Sequence, residues 1–259
     1  IIEHTDVRRM LLQQKCYVEG AQVLGFHAAV LIDRAQDPDE VVRRDSGLLL
    51  EILTPIIKAW GSDYSLKANE LAMQILGGYG YTREYPVEQN YRDNRINPIH
   101  EGTNGIQALD LLGRKAMMHD GAALKLLLRE IGATCTEAAA TATLAPLAQQ
   151  LSQGMALAAA TTRAVGQRMA AGEVRLALAN ASHYMTLLGH LVIGWTWLWQ
   201  ALVAERALPA ASGADADFYR GKLQACRYYF ATELPLVEHV ARLVQAAEPS
   251  AYAMQPEWF

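Results

Sequence analysis

The sequence predicts an all-α protein. Apolar residues recur in steps of three and four through most of the chain, and glycine, proline and Asx residues fall where those runs start and stop. No segment shows strand alternation at length. Antiparallel neighbours packed as bundles are the expected arrangement.

The first run extends from about Thr5 to Ala35, with Val7, Met10, Leu11, Tyr17, Val18, Ala21, Leu24, Ala28, Leu31 and Ile32 along it. This spacing marks one long amphipathic helix, with Thr5 or Asp6 as its cap and Asp37-Pro38-Asp39 as its stop. A second segment begins near Glu40 and carries Leu48, Leu49, Leu50 and Leu53. Thr54-Pro55 reads as an N-cap with proline at the first helical position, so a kink or restart is expected there. Ile57, Trp60, Tyr64, Ala68, Leu71 and Ile75 then keep one face apolar up to Gly77-Gly78.

After an aromatic and charged connector, a helix capped by Thr103 runs to about Met118, where His119-Asp120-Gly121 breaks it. Residues 122 to 172 are alanine-rich and helical, with interruptions expected near Gly132 and Pro146. Another helix is expected from about Glu173 to Arg206. A last one follows the Ser212-Gly213 loop, from about Asp215 to Ala247.

A chain of 259 residues, 51% hydrophobic and 19% charged, has the composition of a globular protein with a substantial core. A net charge of −4 gives no reason to expect nucleic acid or an anionic membrane as partner. Cys16, Cys135 and Cys226 are odd in number and far apart, and read as reduced thiols of an intracellular, cytoplasmic protein. The chain opens on Ile1 directly into helical sequence, with no signal or transit pattern, and reads as a piece of a longer protein.

Leu176 to Ala204 carries no formal charge and is long enough to cross a bilayer. It also contains Asn180, Ser182, His183, His190 and Gln200, and Trp195, Trp197 and Trp199 cluster instead of flanking it. A central core or interface helix is expected rather than an integral membrane segment. His183 and His190 lack a cysteine or carboxylate at ligand spacing and are expected to be core histidines, with the tryptophans as packing.

The chemistry concentrates between Gln74 and Lys115. Glu101 stands in a loop just before a helix, followed by Gly102 and the N-cap Thr103. A carboxylate there can serve as a base toward a ligand, or it can merely complement the helix dipole. Gly77-Gly78-Tyr79-Gly80 can cradle a phosphate or simply end a helix; following a helix, it is no dinucleotide fingerprint. His100-Glu101 is no zinc motif, because position 104 is Asn104 where a second histidine would be needed. Arg92-Asp93 is read as a structural ion pair anchoring the connector.

Three blocks in this stretch resemble the C-terminal signature of the flavin-dependent acyl-CoA dehydrogenases. They are Gln74-Ile75-Leu76-Gly77-Gly78-Tyr79-Gly80-Tyr81, then Tyr91-Arg92-Asp93, then Glu101-Gly102-Thr103. The likeness continues through Gly105-Ile106-Gln107 to Leu111-Leu112-Gly113-Arg114-Lys115. The resemblance implies a C-terminal helical bundle over residues 1–119 and a helical extension over 120–259.

It also implies that Glu101 is the catalytic base, removing the pro-R α-proton of an acyl-CoA while a hydride passes from the β-carbon to flavin N5. The backbone N–H of Glu101, with a ribityl hydroxyl of FAD, would polarise the thioester carbonyl. Gln74, Ile75, Leu76, Gly77 and Gly78 would contact the adenosine-pyrophosphate half of an FAD held mainly by a neighbouring subunit. Thr103, Asn104 and Gly105 would approach the cofactor's phosphates. His100, Glu101 and Gly102 would face the substrate, with His100 where the family often has tyrosine. An electron-transfer flavoprotein would take the electrons, and a dimer or tetramer is implied. No strand-rich region of the kind that holds the flavin ring in the family is present, so the isolated chain is expected to be inactive. An acyl-CoA oxidase and a non-catalytic oligomerisation module remain the alternatives.

Overall fold

A computed structural model describes all 259 residues of the chain. It contains helices and turns but no β-strand, as the periodicity requires. Two long helices, α1 (Thr5–Arg34) and α2 (Glu40–Leu76), pack along each other as a hairpin around Tyr17, Trp60 and Tyr64. The N-cap position of α1 is His4, which makes no side-chain capping bond, so neither Thr5 nor Asp6 caps it. Asp39 caps α2, accepting from the N–H groups of Val41 and Val42.

α2 does not restart at Pro55. It runs through, and Thr54 turns its hydroxyl back to the Leu50 carbonyl at 2.6 Å instead of capping a new helix. An interior proline costs a helix about 3 kcal/mol. Full burial of Ile52, Leu53 and Ile56 on the same stretch, at about 1.5–3 kcal/mol each, outweighs that.

α2 ends in a tight 3-10 turn (Gly77–Tyr81), followed by α3 (Val87–Asn94) and α4 (Asn104–Asp110). α4 runs on into a wider π turn, Leu111–Lys115, which buries Leu111 and Leu112 and brings Lys115 to the Glu51 carboxylate. His119, Asp120 and Gly121 then adopt left-handed conformations, φ 51°, 54° and 75°, which is the expected break.

The rest is α5 (Met118–Ala139), α6 (Ala145–Ala170), α7 (Val174–Leu178), α8 (Ala181–Ala207), α9 (Gly213–Thr232), α10 (Leu236–Ala246) and α11 (Ser250–Ala253). Gly132 lies inside α5 without interrupting it, whereas the break before Pro146 is present. The helix expected from Glu173 to Arg206 is divided at Ala179-Asn180, where the Asn180 side chain donates to the Glu248 carbonyl at 3.0 Å. The one expected from Asp215 to Ala247 is divided at Glu233-Leu234-Pro235.

α8 is the centre of the molecule. It is the one helix long and apolar enough to cross a bilayer, and 83% of its most apolar window is buried inside this bundle. It packs against α1, α2, α4, α5, α6, α9 and α10 within one continuous hydrophobic core. Gly189 lets the α2 indole of Trp60 lie on the α8 backbone, where an added Cβ would meet Trp60 Cδ1 at 2.4 Å.

His190 is fully buried, with Tyr64 Oη 2.6 Å from Nε2 and Tyr229 Oη 3.0 Å from Nδ1. His183, by contrast, is exposed and is no core histidine. Trp195 and Trp197 pack as expected, their N–H groups donating to Thr134 Oγ1 and the Cys16 carbonyl, while Trp199 is partly exposed. All three cysteines are free and buried.

Candidate functional site

The sequence-predicted residues fall into two places along α2. At its C-terminal end, Gly77 takes φ 60° and ψ −140°, and its N–H donates to the Gln74 carbonyl, ending the helix. Gly80 is buried because its Cα faces the α2 backbone; a Cβ there would meet the Met73 carbonyl oxygen at 2.4 Å. Glu70, Gln74, Gly77, Gly78, Tyr81 and Tyr91 line the cleft this turn creates, of about 530 Å³. No atom lies within 4 Å of where a Cβ would stand on Gly77 or Gly78, so a ligand can approach their backbone closely. Ile75 and Leu76 are half-buried.

The connector is tied down differently from the sequence reading. Arg92 pairs with Glu88 one turn back at 2.8 Å, not with Asp93; the arginine is largely exposed and the Glu88 side chain mostly covered. The tie to α2 is neutral: Asn94 donates to Asn69 Oδ1 at 2.7 Å.

The second place is the loop before α4. Thr103 caps the helix, accepting from the Ile106 N–H at 3.4 Å. Glu101 and Gly102 both lie in the left-handed region, at φ 54° and 83°. Glu101 and His100 are exposed; His100 Nδ1 is 3.2 Å from the Ile96 carbonyl. The backbone N–H groups of Glu101, Gly102, Thr103 and Gly105 donate to no group of the chain. They form a set of directed donors beside an available carboxylate.

Asn104 is engaged inward. Its amide N–H groups reach the Ala59 carbonyl at 3.1 Å, Ser62 Oγ at 3.0 Å and Asp63 Oδ1 at 2.8 Å. Its oxygen accepts from Lys58 Nζ at 2.9 Å. Lys58 also donates to the Gly102 carbonyl at 2.7 Å. Desolvation raises the Asp63 carboxyl above the ordinary carboxylate value, against the pull of the Asn104 amide and of Lys67 and Lys58. Lys58, Ser62 and Asp63 were not legible as site residues, because on a regular helix, 44 residues before Gly102 in the case of Lys58, nothing in the spacing marks them.

At about 1.5 Å of rise per residue, the turn of Lys58 and the turn of Gln74 stand about 24 Å apart on α2. The chain therefore does not bring its two candidate clusters together around one small molecule. They can serve opposite ends of an extended ligand or two separate ligands.

Two family profiles cover this chain nearly end to end. One described as "Acyl-CoA dehydrogenase, C-terminal domain" matches residues 1–117, and one described as "Acetyl-CoA dehydrogenase C-terminal like" matches residues 127–255. The chain belongs to the acyl-CoA dehydrogenase family.

A 3-methylmercaptopropionyl-CoA dehydrogenase of Ruegeria pomeroyi is 36% identical over 226 residues, which are 86% of this chain and 38% of that protein. A broad-specificity linear acyl-CoA dehydrogenase of Mycobacterium tuberculosis is 33% identical over 96% of this chain and 42% of its own length. The chain thus spans about two fifths of the length of these curated relatives. The crystal structure of an acyl-CoA dehydrogenase complexed with FAD from Bacillus anthracis shares the fold, with a TM-score of 0.68 at 18% identity over 97% of this chain and 46% of that one.

Proposed function

We propose that this chain forms the base-bearing, helical part of an FAD-dependent acyl-CoA dehydrogenase, with Glu101 as the base. The observation that carries the reading is the conformation of Glu101. A non-glycine residue is held left-handed in a loop whose own N–H groups are unpaired, inside the Glu101-Gly102-Thr103 block that relates the chain to the family. Abstracting a proton next to a thioester needs a carboxylate and donors for the oxygen that gains charge, and both are offered at one turn.

In this reading residues 1–119 are the family's C-terminal bundle and 120–259 an extension, and the substrate is an acyl-CoA. The open backbone at Gly77-Gly78, beside Gln74, suits an adenosine-pyrophosphate group, and the unpaired donors of Thr103 and Gly105 suit phosphate or ribityl oxygens. When bound, the flavin supplies hydride acceptance at N5 from the β-carbon. Glu101 would take the α-proton onto its carboxylate, and its own unpaired N–H would stabilise the oxygen that gains charge. The product is a trans-2-enoyl-CoA. The separation of the two clusters fits a cofactor shared between subunits, so a homo-oligomer belongs to the proposal. So do an electron-transfer flavoprotein as acceptor and a cytoplasmic location.

The deciding experiment is anaerobic mixing of the flavin-loaded enzyme with acyl-CoA. Glu101→Gln should slow flavin bleaching by about two to four orders of magnitude, the range expected for a lost general base. Near-normal bleaching in that variant would refute the assignment. The 259-residue chain alone should retain little FAD, and stoichiometric flavin absorbance in its preparation would contradict that.

A further inference from the structure

We propose that Lys58 is a positioning residue for the proton transfer, holding Glu101 in its left-handed turn through the Gly102 carbonyl and the Asn104 side chain. This rests on Glu101 being the base. A glutamate at φ 54° occupies a region that only surrounding contacts can enforce.

Three contacts enforce it. Gln107 Nε2 donates to the Glu101 carbonyl at 3.3 Å, the Asn104 N–H donates to the Pro98 carbonyl at 3.0 Å, and Lys58 Nζ donates to the Gly102 carbonyl at 2.7 Å. Of these three donors only Lys58 is charged and only Lys58 comes from α2, the helix to which the Asn104 side chain is also bonded through Ala59, Ser62 and Asp63. Its bond to a carbonyl is charge-assisted and correspondingly strong.

The orientation of Asn104 is fixed by the same logic. Its amide N–H groups face two acceptors, the Ala59 carbonyl and the Asp63 carboxylate, so its oxygen must face Lys58. Reversing the amide would set oxygen against oxygen twice and nitrogen against the ammonium. Lys58 thereby meets two acceptors on the loop side, Gly102 O and Asn104 Oδ1, and cannot leave without releasing both.

The opposite face of this turn of α2 is also immobilised. Trp60 and Tyr64 stack at 4.1 Å between ring centroids, with Trp60 against Gly189 and Tyr64 bonded to His190, both on α8. The helix presenting Lys58 is therefore backed by the central core, and α2 joins Gln107 of α4 in setting the aim of Glu101.

Cleavage by a glutamate-specific protease after Glu101 reads the loop directly in the 259-residue chain, because proteolysis tracks the population of the open form. Lys58→Met should raise the cleavage rate at Glu101 by about tenfold or more, with other exposed glutamates such as Glu3 unchanged. Lys58→Arg, which keeps charge and donors, should stay close to the parent rate. Unchanged cleavage at Glu101 in Lys58→Met overturns the inference whatever the role of Glu101.

In the flavin-loaded enzyme, Lys58→Met should lower flavin reduction at saturating acyl-CoA by about tenfold with KM nearly unchanged, and Lys58→Arg should recover most of it. Full activity in Lys58→Met beside a dead Glu101→Gln enzyme overturns the positioning role and leaves the base assignment standing. Full activity in Glu101→Gln overturns both.

Discussion

The Tyr64 hydroxyl lies 2.6 Å from Nε2 of His190, and it is the donor there in the tautomer that leaves Tyr229 bonded to the His190 carbonyl. Tyr229 directs its own proton to the His190 carbonyl at 3.1 Å, so the ring's Nδ1–H points at the Tyr229 oxygen. A neutral imidazole protonated at Nδ1 can only accept at Nε2. Every polar atom of this buried cluster is then satisfied without a charge, and burial pushes the His190 pKa down to about 3.

That depression fixes a pH dependence. The folded His190 refuses a proton that the unfolded chain takes up below its ordinary value of 6.5. Stability from this group is therefore complete above that pH and is lost as the pH falls toward about 3. The loss is about 1.4 kcal/mol per pH unit, or about 2 kcal/mol by about pH 5. Denaturant midpoints of the parent chain and of His190→Gln, taken at neutral pH and at about pH 5, check it. The variant should be less stable at neutral pH and lack this portion of the acid slope.

Gly189→Ala should destabilise the bundle. The new Cβ would stand 2.4 Å from Cδ1 of an indole fixed by stacking on Tyr64, so one helix must shift. Overpacking of this kind costs about 1–3 kcal/mol. Thermal melting should show a fall of several degrees, and an unchanged melting temperature would mean that Trp60 has room to move.

Gly80→Ala tests the cleft at the end of α2. Its Cβ would collide with the Met73 carbonyl, which as backbone cannot swing aside, and the Gly77–Tyr81 turn must open. Flavin retention by the complete enzyme should weaken by about tenfold or more, equivalent to about 1.4 kcal/mol. The melting temperature of the isolated chain should change little, because the turn lies outside the main core. Equilibrium dialysis against FAD and calorimetry separate the two effects.

The three thiols should be silent in the folded chain. Burial pushes Cys16 up to about 12 and raises Cys135 and Cys226 as well, so almost no thiolate exists at mildly alkaline pH. A chromogenic disulfide reagent at about pH 8 should titrate fewer than one thiol quickly in the native protein and all three in denaturant. Rapid reaction of any one in the native state would place that cysteine on a segment that opens.

Much of this architecture was legible because the sequence states it locally. The long first helix, the Gly77 terminus, the Thr103 cap and the break at His119-Asp120-Gly121 each depend on a few adjacent residues. Three of the misreadings have a different cause, a distant partner. Pro55 looked like a beginning because burial of Ile52, Leu53 and Ile56 against the core cannot be seen from the proline itself. The break at Asn180 depends on the Glu248 carbonyl far along the chain. Pro235 was a visible stop signal inside an expected helix, and there Glu233 turns to accept from Tyr17 and Gln13 on α1.

The candidate site divides the same way. The loop of Glu101 announces itself as a motif, while its anchor, Lys58, is an ordinary lysine until the fold brings it to the Gly102 carbonyl.

The centrality of α8 bears on how this polypeptide can be dissected. The segments matched by two separate family profiles do not each wrap their own interior; Trp60 and Tyr64 of the first rest on Gly189 and His190 of the second. Severing the chain between them would leave an aromatic wall bare on one piece and a greasy rod on the other. Neither half would make a well-behaved reagent, and anyone trimming this protein for crystals or binding assays should keep both.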